Sequence, residues 1–250
     1  MSKRAPQSND EFAWARFDPE AYVAHYYADP HPDDDEVVRL TARALAAGAG
    51  DGAIDTIDVG TGPNLFPLLA ALPVARRVSA WEYSEANVAW LRKELAGGRL
   101  RAPWGHFWEV ARREHDAARA AIAEPIAALS AKTDIVQGSI FDLPPRQWDA
   151  ATMFFCAESI TEQQEEFERA CAAFAGAVRP GGVLAAAFLA GSKGYLVGAE
   201  EFPAVSVNPA ALEAAFAGIA GDIVISAIGE RSEEIRSGYT GMLFLTARAR

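Results

Sequence analysis

Cysteine, histidine and positive charge are all in short supply in this chain. Two cysteines, Cys156 and Cys171, occur in 250 residues, and neither belongs to a C-x-x-C pair. A disulfide framework and a cysteine-rich zinc site are therefore not expected. The four histidines, His25, His31, His106 and His115, lack the H-x-x-x-H type of spacing, so no bound metal is expected either. Lys and Arg together number 23 against 34 Asp and Glu, a formal net charge of −11. A sequence-independent hold on nucleic acid needs a basic face that displaces counterions, and this balance argues against one. The longest apolar run, "VLAAAFLAG" from Val183, falls far short of the roughly 20 residues of a membrane helix. The opening "MSKRAPQSND" carries no apolar stretch of the kind a secretory signal needs. The expectation is a soluble, cytoplasmic, monomeric protein whose partner is a small molecule, with no membrane or nucleic acid involved.

Half of the chain is hydrophobic, enough for one well-packed domain with a small extension. Residues 1–10 read as a disordered tail, 11–50 as a helical N-terminal segment, and 51–250 as the main domain with an insertion at about 99–132. In "FDPEAYVAHYY" Asp18 can cap a helix and Pro19 suits its first position. "DDDEVVRLTARALAAG" follows as a second helix, acidic in its first turn. Strands and helices then alternate: "AIDTIDV", "NLFPLLAAL", "RVSAWEY", "SEANVAWLRKELAGG", "TDIVQGSI", "WDAATMFFC", "TEQQEEFERACAAFAGAV", the turn "RPGG", "VLAAAFL" and "NPAALEAAFAGI". Thr161 with Gln164 predicts a capping box. The insertion predicts a strand near "HFWEV" and a helix. "DIVISAIGE" and "YTGMLFLTARA" come last with only "RSEEIRSG" between them, too short for a crossover, so they predict an antiparallel pair. The whole is an α/β fold with a mostly parallel sheet and helices on both faces.

The chemistry concentrates at "IDVGTGPNLF". In open α/β sheets ligands sit where strand order reverses, beyond the carboxyl ends of the strands. Gly60 and Gly62 let backbone approach a ligand closely. The third glycine of a dinucleotide loop is replaced by Leu65, and Pro63 removes an N–H donor. A ligand without phosphates does not need that donor. Glu82, 22 residues after Gly60, ends the second strand, where a carboxylate can accept from a ribose diol. These features suit a phosphate-free nucleoside such as S-adenosylmethionine, with Asp58, Ser139 or Asp142 adding polar contacts. The competing reading is a plain strand–turn–helix whose glycines serve only the turn.

"FDPEAYVAHYY", "IDVGTGP", "EYSEAN", "FFCAES", "VRPGG" and "GSKGYLVG" together resemble the nicotinamide, phenylethanolamine and thioether (including indolethylamine) methyltransferases, from about Phe17 to the C-terminus. The resemblance implies a Rossmann-like class I methyltransferase fold with a seven-stranded sheet, and makes residues 11–50 a lid. It implies S-adenosylmethionine as cofactor and S-adenosylhomocysteine as product. It implies cofactor contacts at Tyr22, Tyr27, Gly60, Gly62, Phe66, Glu82, Tyr83, Asn87, Ser139, Ile140 and Phe154. It implies substrate contacts at Tyr26, Phe155, Phe188, Ser192 and Tyr195, and catalytic roles for Glu158 and Tyr22. Glu158 aligns with an acid facing the substrate amine. Nicotinamide-specific relatives carry an acid where this chain has Phe188, which implies another substrate. The expected reaction is methylation of an aromatic or heterocyclic amine nitrogen. O- or S-methylation is the alternative, followed by a non-catalytic cofactor-binding protein. An NAD(P) oxidoreductase is opposed by Leu65 and by the terminal antiparallel strands.

Overall fold

The computed structural model describes residues 6–229 and 235–250. Its centre is a seven-stranded sheet. The strands are β1 (Ile54–Val59), β2 (Ala75–Glu82), β3 (Thr133–Gln137), β4 (Trp148–Phe154), β5 (Val178–Ala190), β8 (Ala220–Ile228) and β9 (Gly241–Ala249). Their order is β3-β2-β1-β4-β5-β9-β8. β1 to β5 run parallel, and β9 lies antiparallel between β5 and β8. The chain leaves β1 toward β2 and later returns to place β4 on its other side. The strand order therefore reverses at β1, and the glycine turn stands at that point.

The local rules explain most elements. Asp18 accepts hydrogen bonds from the amides of Glu20 and Ala21 and so starts α1 (Pro19–Tyr26). Ser84 caps α4 (Glu85–Leu95), and Asn208 caps α9 (Pro209–Phe216) with Pro209 in the first turn. The acidic first turn of α2 (Pro32–Ala49) follows a His31 cap. From Val183 to Ala190 β5 is buried throughout. Alanine is a poor strand former, but a strand covered on both faces favours burial over intrinsic preference. One face of the sheet is covered by α2, α3 (Phe66–Ala71), α4, α5 (Ala102–Arg112) and α7 (Pro125–Lys132). The other is covered by α8 (Gln164–Gly176) and α9.

Four expectations change. "HFWEV" lies inside helix α5, not a strand; buried Trp104, Phe107, Trp108 and Ala111 recur at helical spacing. The short α6 (Ala117–Ala120) completes the insertion. Helix α8 opens with Gln163 at its cap position. Thr161 makes no capping box; its hydroxyl accepts from the Gln163 amide and donates to the Gln7 carbonyl. "RPGG" lies within the irregular start of β5. "GSKGYLVG" contributes to a hairpin of β6 (Tyr195–Val197) and β7 (Glu200–Phe202) that periodicity did not flag. Of the expected tail, residues 1–5 lie outside the described residues, and Gln7 and Asn9 donate their amides to Glu162 and Glu166. Part of the "RSEEIRSG" link, residues 231–234, also lies outside. Among the described residues no helix is long and apolar enough to cross a membrane, and none of the His, Cys, Asp and Glu form a metal-binding group.

Candidate active site

The glycine turn after β1 needs its glycines. Gly60 and Gly62 have φ of +66° and +59°, conformations that a side chain disfavours. A Cβ on Gly60 would also lie 2.2 Å from the sulfur of Cys156. Over Gly62 the space is open, with no atom nearer than 3.9 Å to a notional Cβ. Glu82 locks the turn from the end of β2. Its Oε2 accepts from the Gly62 amide at 2.7 Å, and its Oε1 accepts from the Ser84 amide at 2.7 Å and from Asn87 Nδ2 at 3.4 Å. Burial pushes this carboxyl up, and those donors oppose the shift.

A cavity of about 830 Å³, part of it open to solvent, lies over this turn. Gly60, Gly62, Glu82, Tyr83 and Asn87 line it, as do Ser139 and Ile140. Phe154, Phe155, Tyr195, Tyr22 and Tyr27 line its other walls. Trp81 also lines it, held by a 3.0 Å bond from its indole N–H to the Ser139 carbonyl.

The N-terminal segment roofs the cavity. Trp14 stacks on Phe202 of β7 at 5.0 Å, and its carbonyl accepts from the Ser84 hydroxyl. Phe17 packs on Phe202 and on Tyr22. The Tyr27 hydroxyl accepts from Asn64 Nδ2 at 3.1 Å, while Asn64 Oδ1 accepts from the Phe66 amide. Asn64 thus ties α1 to the glycine turn. Trp104 and Phe107 of the insertion back Tyr27 from behind. Burial pushes the Tyr22 phenol up to about 12 and the Tyr27 phenol well above its ordinary value. Both remain protonated at neutral pH, able to donate or to position but not to act as bases.

A second cavity opens on the far side of Tyr22, Tyr27, Phe155 and Arg236, which line both spaces. Tyr26, His25, Asp29, His31, Asp34, Leu189 and Met242 are among its other lining residues. Phe155 has φ of +53°, an uncommon state for a bulky residue. Asp34 is buried, and burial, then Asp33 and Asp35, push its carboxyl up to about 7. Arg236, 5% exposed, donates to Ser159 Oγ at 3.0 Å and to Tyr26 Oη at 3.2 Å. Its guanidinium lies 4.0 Å from the Tyr195 ring centre and 5.2 Å from that of Tyr26.

Several expected site residues stand elsewhere. Phe66 is fully buried beneath the turn, packed on Tyr27, Phe107 and Phe154, and lines neither cavity. Phe188 faces the opposite side of the sheet, where it packs on Phe167 and Phe216. Side chains alternate along β5, so Leu189 faces the second cavity while Phe188 cannot. The inference against nicotinamide drawn from Phe188 therefore lapses. Ser192 is fully buried outside both cavities. Glu158 is also fully buried outside them; its Oε1 accepts from the Leu189 amide at 3.0 Å and fastens the end of β5. Burial pushes its carboxyl up to about 7. Cys156 lines the first cavity, but burial pushes its thiol well up, away from a nucleophilic thiolate.

Arg236, Asp34, Trp14, Trp81 and Asn64 were missed. The density of aromatics in "WARFDPEAYVAHYY" could have pointed to Trp14. Nothing in local pattern marks Arg236 or Asp34, since each is polar in a polar stretch and is buried only by tertiary packing.

The model of the NNMT/PNMT/TEMT family matches residues 6–250. Mouse phenylethanolamine N-methyltransferase is 28% identical over 216 residues, 78% of this chain and 71% of that protein. Mouse indolethylamine N-methyltransferase is 23% identical over 252 residues, covering 93% and 92%. Among solved structures, magnesium protoporphyrin IX methyltransferase from Synechocystis PCC 6803 with bound SAM has a TM-score of 0.58 at 12% identity, covering 92% of this chain and 90% of that one. The glycine turn with its carboxylate, the aromatic roof and a family match over nearly the whole length lead to one conclusion: the chain belongs to the NNMT/PNMT/TEMT family and is an S-adenosylmethionine-dependent methyltransferase.

Proposed function

We propose that the chain methylates the nitrogen of a small aromatic or heterocyclic amine, with cofactor in the first cavity and amine in the second. The observation that carries this reading is the shared wall. Tyr22, Tyr27, Phe155 and Arg236 line both cavities, so the two spaces adjoin, and the amine nitrogen would reach the methyl group past these side chains.

The residues present fit the cofactor. The open space above Gly62 admits a ligand against backbone, and Glu82 lines the same cavity, where a carboxylate can accept from a ribose diol. Trp81, Tyr83 and Ile140 offer flat or apolar surfaces to a base, with Asn87 and Ser139 as polar contacts. Tyr22, Tyr27 and Phe154 line the cavity, and an aromatic ring face attracts a cation. When bound, the cofactor supplies a methyl group already activated on a sulfonium. The protein's task is then to align the amine and exclude water. Orientation of this kind contributes roughly 7–11 kcal/mol in favourable cases. The attacking nitrogen must be unprotonated. Asp34 lines the acceptor cavity with its carboxyl near neutrality, the condition for a general base. It takes over the role expected of Glu158.

A methyl-transfer screen over amines, phenols and thiols of matched size tests the reading. Methylated amines are the expected products. Turnover of phenols or thiols alone would reassign the acceptor atom.

A further inference from the structure

A guanidinium buried without a carboxylate partner is an expensive arrangement. Arg236 comes close to this: it is 5% exposed and makes no ion pair among the described residues, and the buried Glu158 carboxyl acts on it only through space, without a hydrogen bond. Its protein partners are two neutral oxygens, Ser159 Oγ and Tyr26 Oη, and two ring faces, Tyr195 and Tyr26. Of the five N–H groups on a guanidinium, those two bonds leave three without an acceptor among the described residues. The surrounding rings can hold the cation in place, but they cannot accept those hydrogens in-plane. Arg236 also lies on the wall shared by both cavities, so its unused edge adjoins space that a ligand can occupy. The arrangement is rigid on three sides: α1 through Tyr26, β6 through Tyr195, and the turn after β4 through Ser159.

Resting on the methyltransferase reading above, we propose that the acceptor is an amine that also carries an anionic group, a carboxylate or a phosphonate, bound in plane by Arg236. A forked guanidinium recognises such groups with two parallel hydrogen bonds. Asp34 stands in the same cavity, giving it one acidic and one basic wall. An amine directed toward Asp34 with its anionic group on Arg236 satisfies both. This also explains how a protein of net charge −11 can hold an anion: the one cation in question is buried, where screening is weak.

The test is calorimetry on the full-length protein loaded with S-adenosylhomocysteine. The probes are 2-aminobenzoate, its neutral isostere 2-aminobenzamide, and 2-aminophenylphosphonate. The expected result is at least tenfold tighter binding of an anion than of the amide. Whichever anion is favoured identifies the carboxylate or phosphonate source. Arg236→Met should abolish the preference while S-adenosylhomocysteine and amide binding stay within twofold, and Arg236→Lys should retain part of it. Equal binding of all three probes by the unmutated protein overturns the proposal. So does an Arg236→Met protein that weakens amide and anion alike, which marks a structural latch, or one that loses only S-adenosylhomocysteine, which puts Arg236 on the cofactor. If Arg236→Met does not fold, Arg236→Lys decides: the anion preference should fall severalfold with amide binding within twofold, and an unchanged preference overturns the proposal. Failure of S-adenosylhomocysteine to bind the unmutated protein counts against the methyltransferase reading instead. The same titrations without cofactor then still decide the role of Arg236.

Discussion

At the end of β2, Glu82 holds the glycine turn through the Gly62 amide and the start of α4 through Ser84. Stability and, on the proposed reading, cofactor binding therefore meet in one carboxylate. Glu82→Ala should leave the Gly62 amide without its partner, a loss of about 1–3 kcal/mol. It should also weaken S-adenosylhomocysteine binding by an order of magnitude or more. Calorimetry with thermal unfolding measures both; unchanged affinity would remove Glu82 from the cofactor site. If the second cavity holds the acceptor, Asp34 separates the two functions, because it lines that cavity and not the first. Asp34→Asn should cut amine turnover at least tenfold and leave S-adenosylhomocysteine affinity within twofold. Retained turnover would return the base to another residue. Single residues were also where the sequence reading strayed. Glu82, Gly60 and Gly62 were legible because a turn and a strand end dictate where they point. Phe188 faces the other side of the sheet, one step along β5 from Leu189, and Glu158 lies buried behind Leu189, outside both cavity linings.

The elements were easier to read where caps and periodicity agreed, as in α1, α4 and α9. Helix α5 was misread because its aromatics look strand-like until their spacing is counted. The β6–β7 hairpin has too few residues to carry a pattern, yet its Phe202 and Tyr195 receive Trp14 and Arg236. Helix α1 meets the glycine turn chiefly through Asn64 and Tyr27. Asn64→Ala removes that tie and the bond to the Phe66 amide. The expected outcome is a loss of about 1–2 kcal/mol and faster amide exchange across Pro19–Tyr27. Unchanged exchange there would mean that aromatic packing alone seats the helix.

Over the whole molecule, three buried carboxyls, those of Asp34, Asp58 and Glu158, are pushed up to about 7 by burial. In the unfolded chain such groups ionise near pH 4. Their native pKa is the higher one, so the stability they favour is complete below about pH 4 and is lost as pH climbs through about 7. His115, held down by burial, acts in the opposite sense once pH falls through its ordinary value of 6.5. Between about pH 6.5 and 8 the carboxyls act alone, and the melting temperature should fall across that interval. A flat or rising profile contradicts the burial of these three groups as charged-form penalties. The order of strands carries a different consequence. β9 is last along the chain yet lies between β5 and β8. Until β9 docks, β5 presents an open edge and β8 has no strand to pair with. Such edges are templates for wrong pairing. The last strand made is thus the one that closes the sheet against its own copies, and a chain lacking it should associate on refolding.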